Sequence, residues 1–287
     1  MIKIKKAELI GFCFGVKRAI NIAENALKKK KKLYSLGPVI HNPQVVNDLS
    51  KKGIRVISDI KDASGGTILI RSHGVGPAII KELKRCKASA IDATCPFVAR
   101  SHKIVKALKK EGFYIIIIGE ETHPEVKALA QACGADKKIV IDVKKIKGLM
   151  LENKKVGIVA QSTLTRGLFN KITAAILEKN PRELRIFDTL CKDVAKRQRE
   201  AVRLSRTCGI MIVIGGKSSA NTKRLAHLCR EQGAKTYHVE TECDIKRQWF
   251  KNCGSAGIIT GSSTPDYIAD RITRYIKTIS KGIYKRR

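Results

Sequence analysis

Cys13-Phe14-Gly15-Val16-Lys17-Arg18 returns as Cys95-Pro96-Phe97-Val98-Ala99-Arg100 and again as Cys191-Lys192-Asp193-Val194-Ala195-Lys196. In each, a cysteine stands where a strand should end, and a basic stretch of helical period follows at once. Three such starts, 82 and 96 residues apart, call for an internal repeat before any other reading.

The repeat extends outward from the cysteines. Residues 2–10 alternate as a strand leading to Cys13, and Val16, Ala19, Ile20, Ala23, Ala26 and Leu27 make the apolar stripe of a helix. A strand at 33–36, a helix at 44–52 stopped by Gly53, and strands at 54–57 and 67–70 follow, the last ending on Arg71-Ser72-His73-Gly74. The second pass runs through residues 90–94, a helix after Cys95, strand 114–118, a helix from Val126 to Gly134, and strands 138–143 and 156–159. The third has residues 185–187 before Cys191, strand 210–214, a helix ending at Gly233, and strands 236–239 and 257–260. Cys13 to His41, Cys95 to His123 and Cys191 to Ser219 are each 28 residues. Strands alternating with helices imply small parallel sheets with their strand-end loops on one edge. The expected fold is therefore α/β: three pseudo-threefold-related lobes at 14–94, 95–190 and 191–287, with residues 1–13 packing with the third.

Composition limits what such a fold can be. At 287 residues with 43% hydrophobic content, the chain can bury a core without help from disulfides. Nine cysteines, no two of them spaced C-x-x-C, fit neither a secreted disulfide framework nor a zinc ribbon. The apolar run 114–118 is far too short to span a bilayer, and the Lys/Ile alternation at the start is not a signal peptide, so a cytoplasmic protein with no membrane partner is expected. The formal charge of +33 suits phosphate contacts, yet Lys and Arg are spread along the chain, with 28–32 the only dense block.

Cysteines at helix starts feel the positive end of the macrodipole, which favours thiolate. Pro96 fits the first helical position after Cys95. Three such thiols form a soft ligand set with one corner open, suited to zinc or to an iron–sulfur cluster. The repeat places His41, His73, His123, Glu125, Ser162, Thr163, Ser219, Asn221 and Ser263 at strand ends around that corner. Imidazoles, hydroxyls, an amide and helix N-termini suit a small anion such as a diphosphate. Glu125 is the one carboxylate in the group and the natural proton donor.

The motifs GFCFGV (11–16), HNPQVV (41–46), RSHGV (71–75), DATCPFV (92–98), THPEV (122–126), AQST (160–163), GGKSSANT (215–222) and GSSTPD (261–266) together resemble the 4-hydroxy-3-methylbut-2-enyl diphosphate reductases, the LytB/IspH family. That resemblance implies a trefoil of lobes around one [4Fe-4S] cluster held by Cys13, Cys95 and Cys191, with one iron open to the substrate. Two electrons and two protons would then remove the substrate's hydroxyl as water, giving isopentenyl and dimethylallyl diphosphates. By motif position Glu125 relays a proton, His41, His73, Ser219, Asn221 and Ser263 grip the diphosphate, and His123 lies between the two functions. Where the family often has Ser-Ser-Asn this chain has Ser219-Ala220-Asn221, leaving only a backbone N–H at Ala220; where it has Gln-Thr-Thr this chain has Gln161-Ser162-Thr163.

Other matches fall away. A P-loop needs glycine where Met211 stands, and no P-C-x-x-C follows His123-Pro124-Glu125 to complete a zinc deaminase signature. Cys86, Cys133, Cys208, Cys229, Cys243 and Cys253 read as inert, and His102, His227 and His238 receive no role. Residues 271–287 read as a final amphipathic helix with a charged tail. The alternative class is a basic RNA-binding or ribosome-associated protein with a structural metal, which 5% aromatic content and no groove-reading motif disfavour. A nucleic-acid partner fits the charge but is not expected; an acidic ferredoxin or flavodoxin as electron donor is a simpler use for it.

Overall fold

The buried strands read as near-continuous Ile/Val runs, as expected of parallel strands covered on both faces. The computed structural model describes residues 2–30, 32–63 and 65–284. In chain order it has β1 (Lys3–Lys6), α1 (Phe14–Lys29), β2 (Leu33–Leu36), α2 (Pro43–Lys51), β3 (Ile54–Ile57), β4 (Thr67–Ile70), α3 (Pro77–Arg85) and β5 (Ser89–Asp92). Next come α4 (Pro96–Lys110), β6 (Tyr114–Ile118), α5 (Pro124–Cys133), β7 (Lys137–Val140), β8 (Lys155–Ala160), α6 (Arg166–Leu177) and β9 (Glu183–Ile186). The chain finishes with α7 (Lys192–Ser205), β10 (Ile210–Ile214), α8 (Ala220–Glu231), β11 (Lys235–Val239), β12 (Ser255–Thr260) and α9 (Asp266–Tyr284).

Three small parallel-sheet α/β lobes result, with strand orders β3-β2-β4-β5, β7-β6-β8-β9 and β11-β10-β12-β1. Every named pairing is parallel. In the third sheet the N-terminal strand β1 takes the edge that β5 and β9 take in the others, registering Ile4 with Ala256 of β12. That edge strand is the one that runs on into a cysteine in each lobe. Central strands are buried throughout, and successive residues serve opposite faces: Ile116 and Ile118 pack under α6, while Ile115 and Ile117 pack with Val105, Leu129 and Val126 of α4 and α5. In the third sheet Ile210, Ile212 and Ile214 face Ile268, Ile272 and Ile276 of α9, and Met211 and Val213 face Leu225 and Ala226 of α8. Each fully buried aliphatic side chain of this kind contributes about 1.5–3 kcal/mol relative to exposure.

The residues pack as two compact units. One comprises the residues up to Val16, 40–47 and those from Lys192 onward, and holds the third sheet; the other comprises 17–39 and 48–191, and holds the first two.

Several local expectations change. The strand expected over 2–10 covers only Lys3–Lys6. Helices α3 and α6 were not expected; α3 buries only Leu83, too little for a stripe, whereas α6 is started by Thr165 accepting from the Leu168 N–H. The strand expected over 138–143 stops at Val140, where Asp142 caps a short 3-10 turn over Val143–Ile146. The helix expected from Val126 begins two residues earlier, because Pro124 takes the first helical position.

Candidate active site

Each cysteine of the repeat is held by the same bond. The amide of Cys13 donates to the Ser262 carbonyl (3.0 Å), that of Cys95 to the Ser72 carbonyl (2.9 Å), and that of Cys191 to the Ser162 carbonyl (2.9 Å). These serines open the loops after β12, β4 and β8, the strands that neighbour each cysteine's own edge strand. All three cysteines are half-buried and precede α1, α4 and α7 directly; none is in a disulfide. Aspartate turns set the approach in two lobes, Asp92 accepting from the Thr94 amide and Asp188 from the Leu190 amide. In the third, the Gly11 amide donates to Thr260 Oγ1, and buried Arg197 donates to the Leu9 and Thr260 carbonyls while paired with Asp193 at 2.8 Å.

The thiol chemistry departs from the sequence expectation at Cys95. Burial pushes its pKa up and outweighs the amides of Phe97 and Val98 at the helix start; Glu125 adds to the rise and Arg18 opposes it. Position on a helix N-terminus therefore does not by itself make this thiol a thiolate.

In the unit containing 48–191, the start of α5 assembles the acid. His123 is the N-cap, its Nδ1 accepting from the Glu125 amide at 3.3 Å, and Glu125 is the second helical residue. Glu125 is 1% exposed, and its carboxylate accepts from Ser162 twice, from the amide at 2.9 Å and from the hydroxyl at 2.7 Å. Burial raises its pKa, with the two Ser162 bonds pulling the other way. A Cβ at Gly119 would come within 2.6 Å of Val126 Cγ2, so only glycine lets α5 sit this close to its strand end. Gln161, fully buried, accepts from the Glu120 amide and donates to Thr163 Oγ1 at 2.8 Å. The His73 and His123 rings meet edge-on with centroids 5.8 Å apart.

The unit containing the residues from Lys192 onward repeats the frame with different side chains. Ser219 caps α8, its hydroxyl accepting from the Thr222 amide, and Ala220 and Asn221 are the first helical residues. Asn221 is 4% exposed; its Nδ2 donates to Ser262 Oγ at 3.1 Å, while its buried Oδ1 has no hydrogen-bond partner among the described residues. Ser263 Oγ donates to the His41 carbonyl at 3.1 Å, and a Cβ at Gly216 would come within 2.5 Å of that same oxygen. His41 is thus fixed by its backbone against the loops after β10 and β12.

Sequence reading named the side chains but missed their supports. Ser72 and Ser262 act through a backbone carbonyl, which no residue type announces, although RSH, QST and GSS mark the three equivalent loops. Gln161 stands in one of the quoted motifs, and Arg197 was legible only as the partner of Asp193 one helical turn away.

Fold and site together define a class: a parallel α/β protein of repeated lobes whose edge strands each deliver a cysteine to a helix start and whose paired strand ends carry acid, amide and imidazole groups. The chain belongs to the LytB protein family, which matches residues 4–277. It is 40% identical over 276 residues to a 4-hydroxy-3-methylbut-2-enyl diphosphate reductase of Pelobacter propionicus, covering 96% of this chain and 98% of that one. A protein of the same name from Aquifex aeolicus is 38% identical, with 98% of each chain covered. The solved E-1-hydroxy-2-methyl-but-2-enyl-4-diphosphate reductase of Plasmodium falciparum superposes with a TM-score of 0.90 at 28% identity, covering 95% of this chain and 87% of that one.

Proposed function

We propose that this chain reduces 4-hydroxy-3-methylbut-2-enyl diphosphate: the allylic C–O bond breaks, two electrons and two protons enter, and the products are one water and isopentenyl or dimethylallyl diphosphate. A whole-chain relation to reductases of this name supports the reading and leaves the RNA-binding alternative without support. The observation that carries the mechanism is the buried, Ser162-bonded carboxyl of Glu125, at the helix position that Asn221, bonded to Ser262, holds in the third lobe.

Cys13, Cys95 and Cys191 would hold one [4Fe-4S] cluster with one iron left open. The donor set fits: three identically pinned thiols at separate helix starts. Among the described residues no three His, Cys, Asp or Glu side chains gather to hold a single ion, and a cluster does not ask this, since each thiolate binds its own iron. Coordination also deprotonates a thiol that burial holds protonated. Such a cluster, when bound, supplies low-potential electrons to the substrate.

The protein's own groups do the rest. Glu125, its pKa raised by burial, holds a proton more readily than an exposed carboxylate, and the Ser162 hydroxyl orients the carboxyl that gives it up. Asn221 holds its amide at the α8 start, where backbone N–H groups and the helix dipole favour an anion; Ser219 and the Ala220 N–H lie on the same turn. His41, His73 and Ser263 complete the grip on the diphosphate, Thr163 and Ser162 line the acid's side, and His123 links the two by capping the helix that carries Glu125. A small acidic ferredoxin or flavodoxin would supply the electrons.

Protein purified and reconstituted without oxygen should be brown, carry about four irons per chain, and consume the diphosphate with photoreduced methyl viologen as donor. Iron-free protein that leaves the substrate untouched after reconstitution overturns the reading.

A further inference from the structure

Reduction consumes electrons that some carrier must deliver, and one helix face is shaped to receive it. Helix α4 begins one residue after Cys95 and contains no acidic residue, but carries Arg100, Lys103, Lys106, Lys109 and Lys110. Arg100, Lys103, Lys106 and Lys110 are exposed, and Val98, Ser101, Val105 and Leu108 are buried, so the cations form the outer stripe of the helix. Among the described residues, Arg100, Lys103 and Lys106 enter no ion pair. The contrast with α7 is direct: there Lys196 pairs with Glu8 and Arg203 with Glu200. The acids flanking α4 are engaged, Asp92 accepting from the Thr94 amide and Glu111 paired with Arg185.

At the Cys95 end of this stripe sits an apolar anchor. Phe97 is 45% exposed, a neighbour of Arg100 at i,i+3, and only two residues from Cys95, about 3 Å of axial rise. On the other side of Cys95, Arg18 donates to the Thr94 carbonyl, and Lys17 beside it is exposed. An exposed aromatic ring at the head of an unpaired cationic stripe suits a small, electrostatically steered, transient interface, the kind redox partners use.

We propose that the outer face of α4, from Phe97 through Arg100, Lys103, Lys106 and Lys110, is the docking site of an acidic electron-carrier protein, which thereby presents its redox group at the Cys95 end of the helix. The proposal rests on the reductase reading above. Charge sets encounter and orientation here, while the phenyl ring supplies the short-range contact.

The test uses the reconstituted full chain and two donors, photoreduced methyl viologen and a reduced acidic flavodoxin. Arg100→Glu/Lys103→Glu/Lys106→Glu should keep its viologen-driven rate within about twofold. Its flavodoxin-driven kcat/KM should fall by roughly tenfold to a hundredfold and lose most of its salt dependence. Phe97→Ala should lose about fivefold with flavodoxin while keeping the wild-type salt slope, since burial rather than charge is removed. Lys28→Glu/Lys29→Glu/Lys30→Glu, at the far end of α1, should change neither rate by more than about twofold. Equal flavodoxin rates for wild type and the α4 triple variant overturn the docking site alone, as does an equal loss in the α1 control. An RNA oligonucleotide that binds wild type but not the α4 variant, with the flavodoxin rate unchanged, assigns the face to nucleic acid and overturns it too. No turnover of wild type with either donor overturns the reductase reading and the docking site with it.

Discussion

Glu125 and Asn221 occupy the same place in two lobes. Each is the second residue of the helix that follows the lobe's 28-residue interval, and each reaches the serine after the sheet's third strand, Ser162 for one and Ser262 for the other. At the same distance from its cysteine the first lobe has Pro43, the first residue of α2, which offers no side-chain polar group. One backbone frame thus carries an acid in one lobe and an amide in another. The acid accepts both hydrogen bonds from its serine and is driven toward the neutral form by burial; the amide donates to its serine and has an acceptor left over. On the proposed reading, the repeated scaffold leaves direction to the side chains, with proton delivery assigned to the Glu125 strand end and anion binding to the Asn221 one.

The sharpest break is Glu125→Gln, which makes the second lobe resemble the third. Turnover should fall by about 10²–10⁴-fold, the usual worth of a positioned general acid, while iron content and KM stay near wild type. Unchanged turnover removes the proton-relay role. The same variant reports on burial. The Glu125 pKa is raised in the fold, so its contribution to stability is whole below the unfolded value of about 4.3 and is lost as pH rises through the folded value. Over that range the Tm of the Glu125→Gln protein should fall less steeply than that of wild type; parallel curves would mean the carboxyl is not desolvated.

The reverse exchange, Asn221→Asp, sets a carboxylate in the third lobe. Folding should be spared, because an acid near a helix N-terminus is favourable. Binding should suffer: KM for the diphosphate is expected to rise roughly tenfold to a hundredfold through like-charge repulsion, with kcat much less affected. If KM holds, the two strand ends do not divide the work. A smaller effect tests the serine. In Ser162→Ala the amide still reaches Glu125 but the hydroxyl is gone, and turnover should drop about fivefold to tenfold, ~1 kcal/mol. Because that hydroxyl lowers the Glu125 pKa, its loss should move the alkaline limb of the kcat profile upward. A limb that moves down would contradict the bonding seen here.

How much of this was legible follows from how each feature is encoded. Strands Tyr114–Ile118 and Ile210–Ile214 were readable to the residue because doubly covered parallel strands are apolar at every position. The 28-residue interval survived because helix and strand vary together so little, α1, α4 and α7 having 16, 15 and 14 residues. Helix α3 escaped because one buried leucine makes no periodic stripe, and the strand after α5 was overrun because Asp142 caps a turn that composition does not separate from strand. In the site, Glu125 stood out as the only acid among strand-end polar residues. The carbonyls of Ser72, Ser162 and Ser262 that pin the cysteines have no side-chain signature at all, and nothing in the sequence separates Arg197, 1% exposed and bonded to the Leu9 carbonyl, from the many exposed cations.

The finest test lies at Ala220, the first residue of α8 and a departure from the Ser-Ser-Asn of the resembling family. Its backbone N–H is one of the unsatisfied donors of the first helical turn, and the residue is half-buried, so a hydroxyl there enters neither the core nor the cap that Ser219 already provides. Ala220→Ser should therefore leave stability within about 0.5 kcal/mol of wild type. It should lower KM for the diphosphate by about twofold to threefold, one added neutral hydrogen bond less the entropy of fixing the rotor. The counterpart change in the second lobe, Pro124→Ser, alters the same helical position beside Glu125 and should leave KM unmoved if that turn serves the proton as proposed. Equal shifts in KM from both substitutions would show the diphosphate contacting both helix starts alike, and the division between the two lobes would then rest on Glu125 alone.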